Sequence, residues 1–192
     1  SNTPITVGSK SSSNGRVGGS GFQGDVMRAD GTPIIVREGT SSALQRERIG
    51  GKEGRHDEQW LQQLIHRHPT CIPMDQIEPG LPELVPVCME LPLPSGYLDN
   101  LLMTPEGDIV IVEVKLFHNP QARREVVAQA LDYASSLFRM NYDQLEKAVL
   151  QADFDGGEKP SRLYDQFGDA DTLDEPGYVD AVNMNLRNGR IV

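Results

Sequence analysis

Three residues in this chain are spaced so that they could share one piece of chemistry. Asp99 follows Gly96-Tyr97-Leu98, and fourteen positions on comes Glu113, with Lys115 two residues later. Pro105-Glu106-Gly107-Asp108 between them is a turn sequence. The flanking segments, Tyr97 to Met103 and Ile109 to Val114, are therefore expected to be antiparallel neighbouring strands. Side chains at i and i+2 of a strand share a face. Glu113 and Lys115 then point the same way, and Asp99 joins them if the register allows. Burying two carboxylates and an ammonium on an apolar sheet is costly unless they are paired or bound to a metal. A hard cation would answer that cost, because Mg²⁺ takes carboxylate oxygens, waters and phosphate oxygens. A metal held there would acidify a bound water and polarise a phosphoryl oxygen. The lysine would orient the attacking water or help deprotonate it, and offset charge in the transition state.

The elements that must position these residues can be read from pattern. Trp60, Leu61, Leu64 and Ile65 recur at helical spacing after His56-Asp57, and Pro69 stops that helix. Residues 70–83 hold several prolines and a glycine and read as loop. Val85 to Leu91 reads as a strand, broken by Pro92, Pro94 and Gly96. The β-branched run Ile109-Val110-Ile111-Val112 reads as a central strand buried on both faces. Asn119-Pro120 is a helix entry, with Asn as cap and Pro in the first turn. The helix runs to about Arg139, with Val126, Ala130, Ala134 and Leu137 inward. Gln129 and Tyr133 stand one turn apart on it and share a face. A shorter helix spans Tyr142 to Ala152, residues 153–172 read as acidic and irregular, and Asp174-Glu175-Pro176 opens a last helix that ends near Asn188-Gly189.

With Asp99, Glu113-Val114-Lys115 and the Gln129–Tyr133 pair in place, residues 56–140 resemble the PD-(D/E)XK, or restriction-endonuclease-like, nuclease superfamily. The Gln129-Ala-Leu-Asp-Tyr133 segment is similar to the Q-x-x-x-Y element of its RecB-like and lambda-exonuclease-like members. Leu98 stands where the name-giving proline would be. The resemblance implies an α/β fold with a central mixed β-sheet flanked by helices. It implies Mg²⁺ or Mn²⁺ held by Asp99, Glu113 and the Val114 carbonyl, hydrolysis of DNA phosphodiester bonds, and support from Gln129 and Tyr133. Glu58 on the first helix matches the acidic residue that several members bring to the metal. The same residues also admit a retired nuclease fold that only binds nucleic acid or a protein, or an unrelated α/β domain in which the motif is accidental.

Composition bounds the rest. The 192 residues fit one domain with appendages, and a net charge of −10 argues against a general nucleic-acid coat. DNA would have to be met by the metal or by local basic groups. Arg123 and Arg124 in the first turns of a helix oppose its macrodipole, which hints at phosphate contact. Arg55 belongs to the polar and basic stretch 39–56, read as a loop that is either a solvated connector or a phosphate-contacting arm. Cys71 and Cys88 are expected to be reduced thiols, and two cysteines exclude a four-cysteine metal site. His66 and His68, at i and i+2, do not face each other on a helix. No apolar run is long enough to span a membrane and no signal peptide is visible, so a cytoplasmic protein is expected. Ser1-Asn2 reads as a tag scar. Residues 1–21, rich in Gly and Ser, read as a flexible tail, 22–55 as a hairpin about Asp30-Gly31 plus a basic loop, and 56–192 as the nuclease-like domain. Arg190-Ile191-Val192 reads as the first step of a strand, so a further C-terminal domain and truncation are expected. A homodimer fits the resemblance.

Overall fold

The run of apolar and β-branched residues between Val85 and Val112 folds back on itself twice. In the computed structural model, which describes residues 32–45, 49, 56–116, 120–167 and 173–192, the chain divides into two units, Ser1–Gln45 and Arg46–Val192.

The first unit contains a hairpin of β1 (Ile34–Arg37) and β2 (Thr40–Ala43), paired antiparallel from Ile34↔Ala43 to Arg37↔Thr40. Its turn is Glu38-Gly39, both with positive φ (48° and 77°). That is the backbone a two-residue hairpin loop requires. This hairpin is one that the sequence pattern did not mark. Ile34 to Val36 pair forward with residues 41–43, which had read as loop, while Val26-Met27 and Asp30-Gly31 lie outside the described residues.

The second unit begins its helices with α1 (Glu58–Arg67), where the Asp57 side chain accepts from the Trp60 N–H. Residues read as loop then form a 3-10 turn, Pro69–Cys71, and the short α2 (Met74–Ile77). Three strands follow: β3 (Val85–Leu93), β4 (Gly96–Met103) and β5 (Ile109–Val112). They are antiparallel in the order β3-β4-β5. Pro92 lies inside β3 rather than ending it, which an edge strand tolerates. The central strand is β4, not β5. The outer side of β5 meets the end of the chain in an isolated parallel bridge, Ile109↔Ile191, with Ile111 N–H donating to the Val192 carbonyl (2.9 Å). The sheet is therefore small and antiparallel rather than broadly mixed, and parallel geometry enters only as isolated bridges among the described residues, here and at Ile49↔His56.

The remaining helices are α3 (Pro120–Phe138), α4 (Tyr142–Val149) and α5 (Glu175–Asn188), with a 3-10 turn, Leu163–Phe167, inside the stretch read as irregular. Asn119, the expected cap of α3, lies outside the described residues. Asn141 and Gln144 form a capping box on α4, Asp174 caps α5, and Gly189 closes it. Alternation along the strands separates two apolar faces. Leu101, Met103 and Ile109 pack with Leu137, Leu145, Tyr178, Val182 and Leu186 of the later helices. Leu102 and Val110 pack with Leu84, Ile72, Met74 and Leu81. Cys88 is fully buried, which pushes its thiol pKa up, while Cys71 is exposed. Among the described residues no helix is long and apolar enough to cross a membrane.

Candidate active site

The β4–β5 ladder runs from Met103↔Ile109 to Asn100↔Val112 and stops there. The next residues on each strand, Asp99 and Glu113, come opposite each other just past the last pair. Expected to reach Val114, β5 ends two residues earlier because a side chain takes over. Asp99 Oδ2 accepts the Val114 N–H at 2.6 Å. A carboxylate thus replaces a backbone acceptor and fixes the Glu113-Val114-Lys115 segment against β4.

Lys115 joins two carboxylates. Its Nζ lies 3.3 Å from Glu113 Oε1 and 3.7 Å from Glu58 Oε2. The other oxygen of Glu58 accepts the Leu116 N–H at 2.8 Å. The first helix therefore does bring an acidic side chain to the site, and its oxygens engage the E-x-K segment. The Glu113 side chain is only 4% exposed, and its Oε2 is buried with no hydrogen-bond partner among the described residues. An unpaired buried carboxylate oxygen is expensive. Among the described residues, no group of three or more His, Cys, Asp or Glu side chains converges as a ready metal cage.

The electrostatics match this crowding. Burial raises the pKa of Asp99, helped by Glu90 and Glu58 and opposed by the Val114 N–H and Lys115. Burial and then the Asp99 charge raise that of Glu113, against Lys115 and the Asp99 N–H. For Lys115, burial pulls downward, but Glu113, Glu58 and Asp99 outweigh it and hold the ammonium protonated. That direction suits a hydrogen-bond donor better than a base that strips water.

The expected supporting residues divide. Tyr133 is buried, and its hydroxyl donates to the Tyr97 carbonyl at 2.9 Å. It braces β4 two residues before Asp99, and burial with the Glu113 and Asp99 charges raises its pKa. Gln129 is half-buried one turn earlier, and no hydrogen bond ties it to Asp99, Glu113 or Lys115. Arg124 is exposed on α3. Arg55 and the Arg123 side chain lie outside the described residues.

Two residues were missed by pattern reading. Glu90 is the only charged residue of β3. The register passes from Met89↔Asn100 to Leu91↔Leu98 and leaves Glu90 opposite Asp99. Carboxylates thus stand in one row across three strands: Glu90, Asp99, Glu113. Gln62 of α1 bridges the first two, its Nε2 donating to Glu90 Oε1 and to the Asp99 carbonyl, both at 2.8 Å. Glu58, Gln62, Glu90, Asp99 and Asp153 line a groove of about 320 Å³, and among the described residues no basic one lines it. The lone acid in an apolar strand was the available signal for Glu90. Nothing local marks Gln62.

Compared with family models, with curated proteins and with solved structures, the chain matches none.

Proposed function

We propose that the chain is a divalent-metal-dependent nuclease of the PD-(D/E)XK type, with the restriction-endonuclease-like arrangement around its sheet, hydrolysing DNA phosphodiester bonds. The observation that carries this reading is the buried, unpartnered Oε2 of Glu113 beside Asp99 and Lys115. Hard oxygen donors left short of protons and partners are what Mg²⁺ or Mn²⁺ requires. The residues present therefore fit such an ion. Asp99, Glu113 and the Val114 carbonyl would hold it, with waters and substrate phosphate completing the shell. When bound, the ion supplies Lewis acidity toward a phosphoryl oxygen and a more acidic water.

The chain's own residues do the rest. Asp99 keeps Oδ2 on the Val114 N–H and so holds the two acidic positions in register. Lys115, kept protonated by its acidic neighbours, donates to the attacking water or to a non-bridging phosphate oxygen, offsetting charge as it develops. Glu58 anchors Leu116 and shares the lysine. Tyr133 fixes the strand behind Asp99. The acidic groove alone would repel a scissile phosphate, and a bound cation would offset that repulsion.

The test is cleavage of single-stranded, duplex and branched DNA in Mn²⁺ by the unmodified chain and by Asp99→Asn, Glu113→Gln and Lys115→Ala. Cleavage lost in all three while their melting curves survive supports the reading. Cleavage that persists in the variants rejects it. A second reading, a non-catalytic module of the same fold, is favoured by the net charge of −10 and by the lack of a ready three-donor cage among the described residues. It expects no saturable Mn²⁺ uptake that depends on Glu113.

A further inference from the structure

We propose that Gln62 is a positioning residue for Asp99, and that Glu90 selects the orientation in which Gln62 acts. The inference rests on the metal-dependent reading above, since it concerns how that site keeps its shape.

Gln62 stands one helical turn after Glu58 on the same face of α1 and is 5% exposed. Three groups of the sheet converge on it. Its Nε2 donates to the Asp99 carbonyl and to Glu90 Oε1, and its backbone carbonyl accepts from Asn100 Nδ2 at 3.3 Å. A side-chain amide has a donating end and an accepting end. Two acceptors at one spot admit the nitrogen and exclude the oxygen, so a flipped Gln62 would set oxygen against oxygen twice. Glu90 thus decides which way the amide faces, and the amide decides where the Asp99 peptide sits. Asp99 is then held twice, by Gln62 at its carbonyl and by the Val114 N–H at its carboxylate.

Glu90 keeps this place against its backbone preference. Its φ of 50° lies in the left-handed region, which suits glycine and is disfavoured for other residues. The other described non-glycine residues with positive φ, Glu38 and Asp155, lie in turns, whereas Glu90 lies within a strand. Strain retained inside a strand, at the contact that orients Gln62, is what a positioning role would maintain.

The test measures Mn²⁺ binding by calorimetry, DNA cleavage kinetics in Mn²⁺ and thermal melting on the full chain. The variants are Gln62→Leu, Glu90→Gly and Glu90→Gln, with Asp99→Asn as control. Gln62→Leu and Glu90→Gly are expected to lower Mn²⁺ affinity or kcat by roughly 10- to 100-fold, the range for residues that orient metal ligands, with KM for DNA unchanged. Glu90→Gly should melt no lower than the unmodified chain, because glycine accepts the left-handed backbone. Glu90→Gln still offers an oxygen to Gln62 and should restore most of what Glu90→Gly loses. A Glu90→Gln variant as damaged as Glu90→Gly overturns the proposal, since the charge and not the acceptor would then matter. Unchanged kinetics and affinity in both Gln62→Leu and Glu90→Gly overturn it as well. Should Gln62→Leu fail to fold, the two Glu90 variants decide. If Asp99→Asn itself keeps Mn²⁺ binding and cleavage, the nuclease reading falls and this one with it. Loss in Asp99→Asn without loss in the other variants removes the positioning role alone.

Discussion

Around Arg162, nitrogens and oxygens are matched. Its Nη1 lies 2.8 Å from both oxygens of Glu175, its Nη2 lies 2.8 Å from Asp165 Oδ1, and its backbone N–H reaches Asp165 Oδ2 at 3.0 Å. Around Asp99 they are not. Glu58 and Glu113 share one ammonium, that of Lys115, Asp99 and Glu90 stand beside them, and a buried oxygen of Glu113 has no partner among the described residues. The first cluster lies near the surface, where ion pairs are screened and contribute little. The second is drawn into the protein, where mismatch is costly. The proposed function assigns the completion of that mismatch to a bound cation, and the matched cluster shows that this chain can satisfy its charges when geometry is free to do so.

The comparison breaks most sharply at the carboxylates. Asp99→Asn should keep the bond from the Val114 N–H, because an amide oxygen also accepts, yet lose cleavage by at least about a hundredfold. Steady-state kinetics in Mn²⁺ with parallel melts would show it, and a folded, active variant would put Asp99 on the same footing as the Arg162 cluster. Next in size is stabilisation by the cation. At about 100 times its Kd, Mn²⁺ should add roughly 2.7 kcal/mol of stability, read as a rise in Tm that Glu113→Gln abolishes.

The pH dependence sharpens the same contrast. Asp99 and Glu113 have raised pKa values in the folded chain. The folded state then holds protons more tightly than the unfolded one. Their contribution is fully present below the ordinary carboxylate range of about 4 and is lost as pH rises through the raised values. In the metal-free protein, Glu113→Gln should therefore flatten the decline of Tm above that range, and an unchanged slope would count against the electrostatic account. The smallest effect is expected at Arg162→Ala, with cleavage unchanged and Tm moving no more than replicate melts differ. A large loss there would erase the distinction between the clusters.

Part of this arrangement was legible in the chain itself. The turn at 105–108 and i, i+2 alternation suffice to bring Asp99 toward Glu113 and Lys115. Asp57, Asp174 and Gly189 mark helix ends because capping is local chemistry. What escaped was nonlocal. Gln62 reaches Asp99 across 37 residues, and no pattern along the chain encodes that meeting. Glu90 faces Asp99 with a backbone that alternation does not foresee. The end of β5 at Val112 followed from the Asp99 side chain, not from the aliphatic run, which read as strand to Val114. In the first unit, the Glu38-Gly39 turn sits at the edge of a polar stretch that read as loop, so its hairpin escaped the pattern.

The turn that joins β4 to β5 is also gripped from outside. Gly107, at φ 88°, packs so closely on α5 that an added Cβ would sit 3.1 Å from Ala181 and 3.2 Å from Val182, and its carbonyl accepts from Asn185 Nδ2 at 2.9 Å. The hairpin is therefore a beam pinned at both ends, at the turn by α5 and at the other by Gln62, Tyr133 and the bond from the Val114 N–H to Asp99. A tilt forced on the turn has to be absorbed at the far pins, so a residue with no place in the chemistry bears on how Asp99 and Glu113 are seated. Amide exchange should be slowest at Leu102 and Ile109. Gly107→Ala should quicken it, and the change should carry along the beam to Val114.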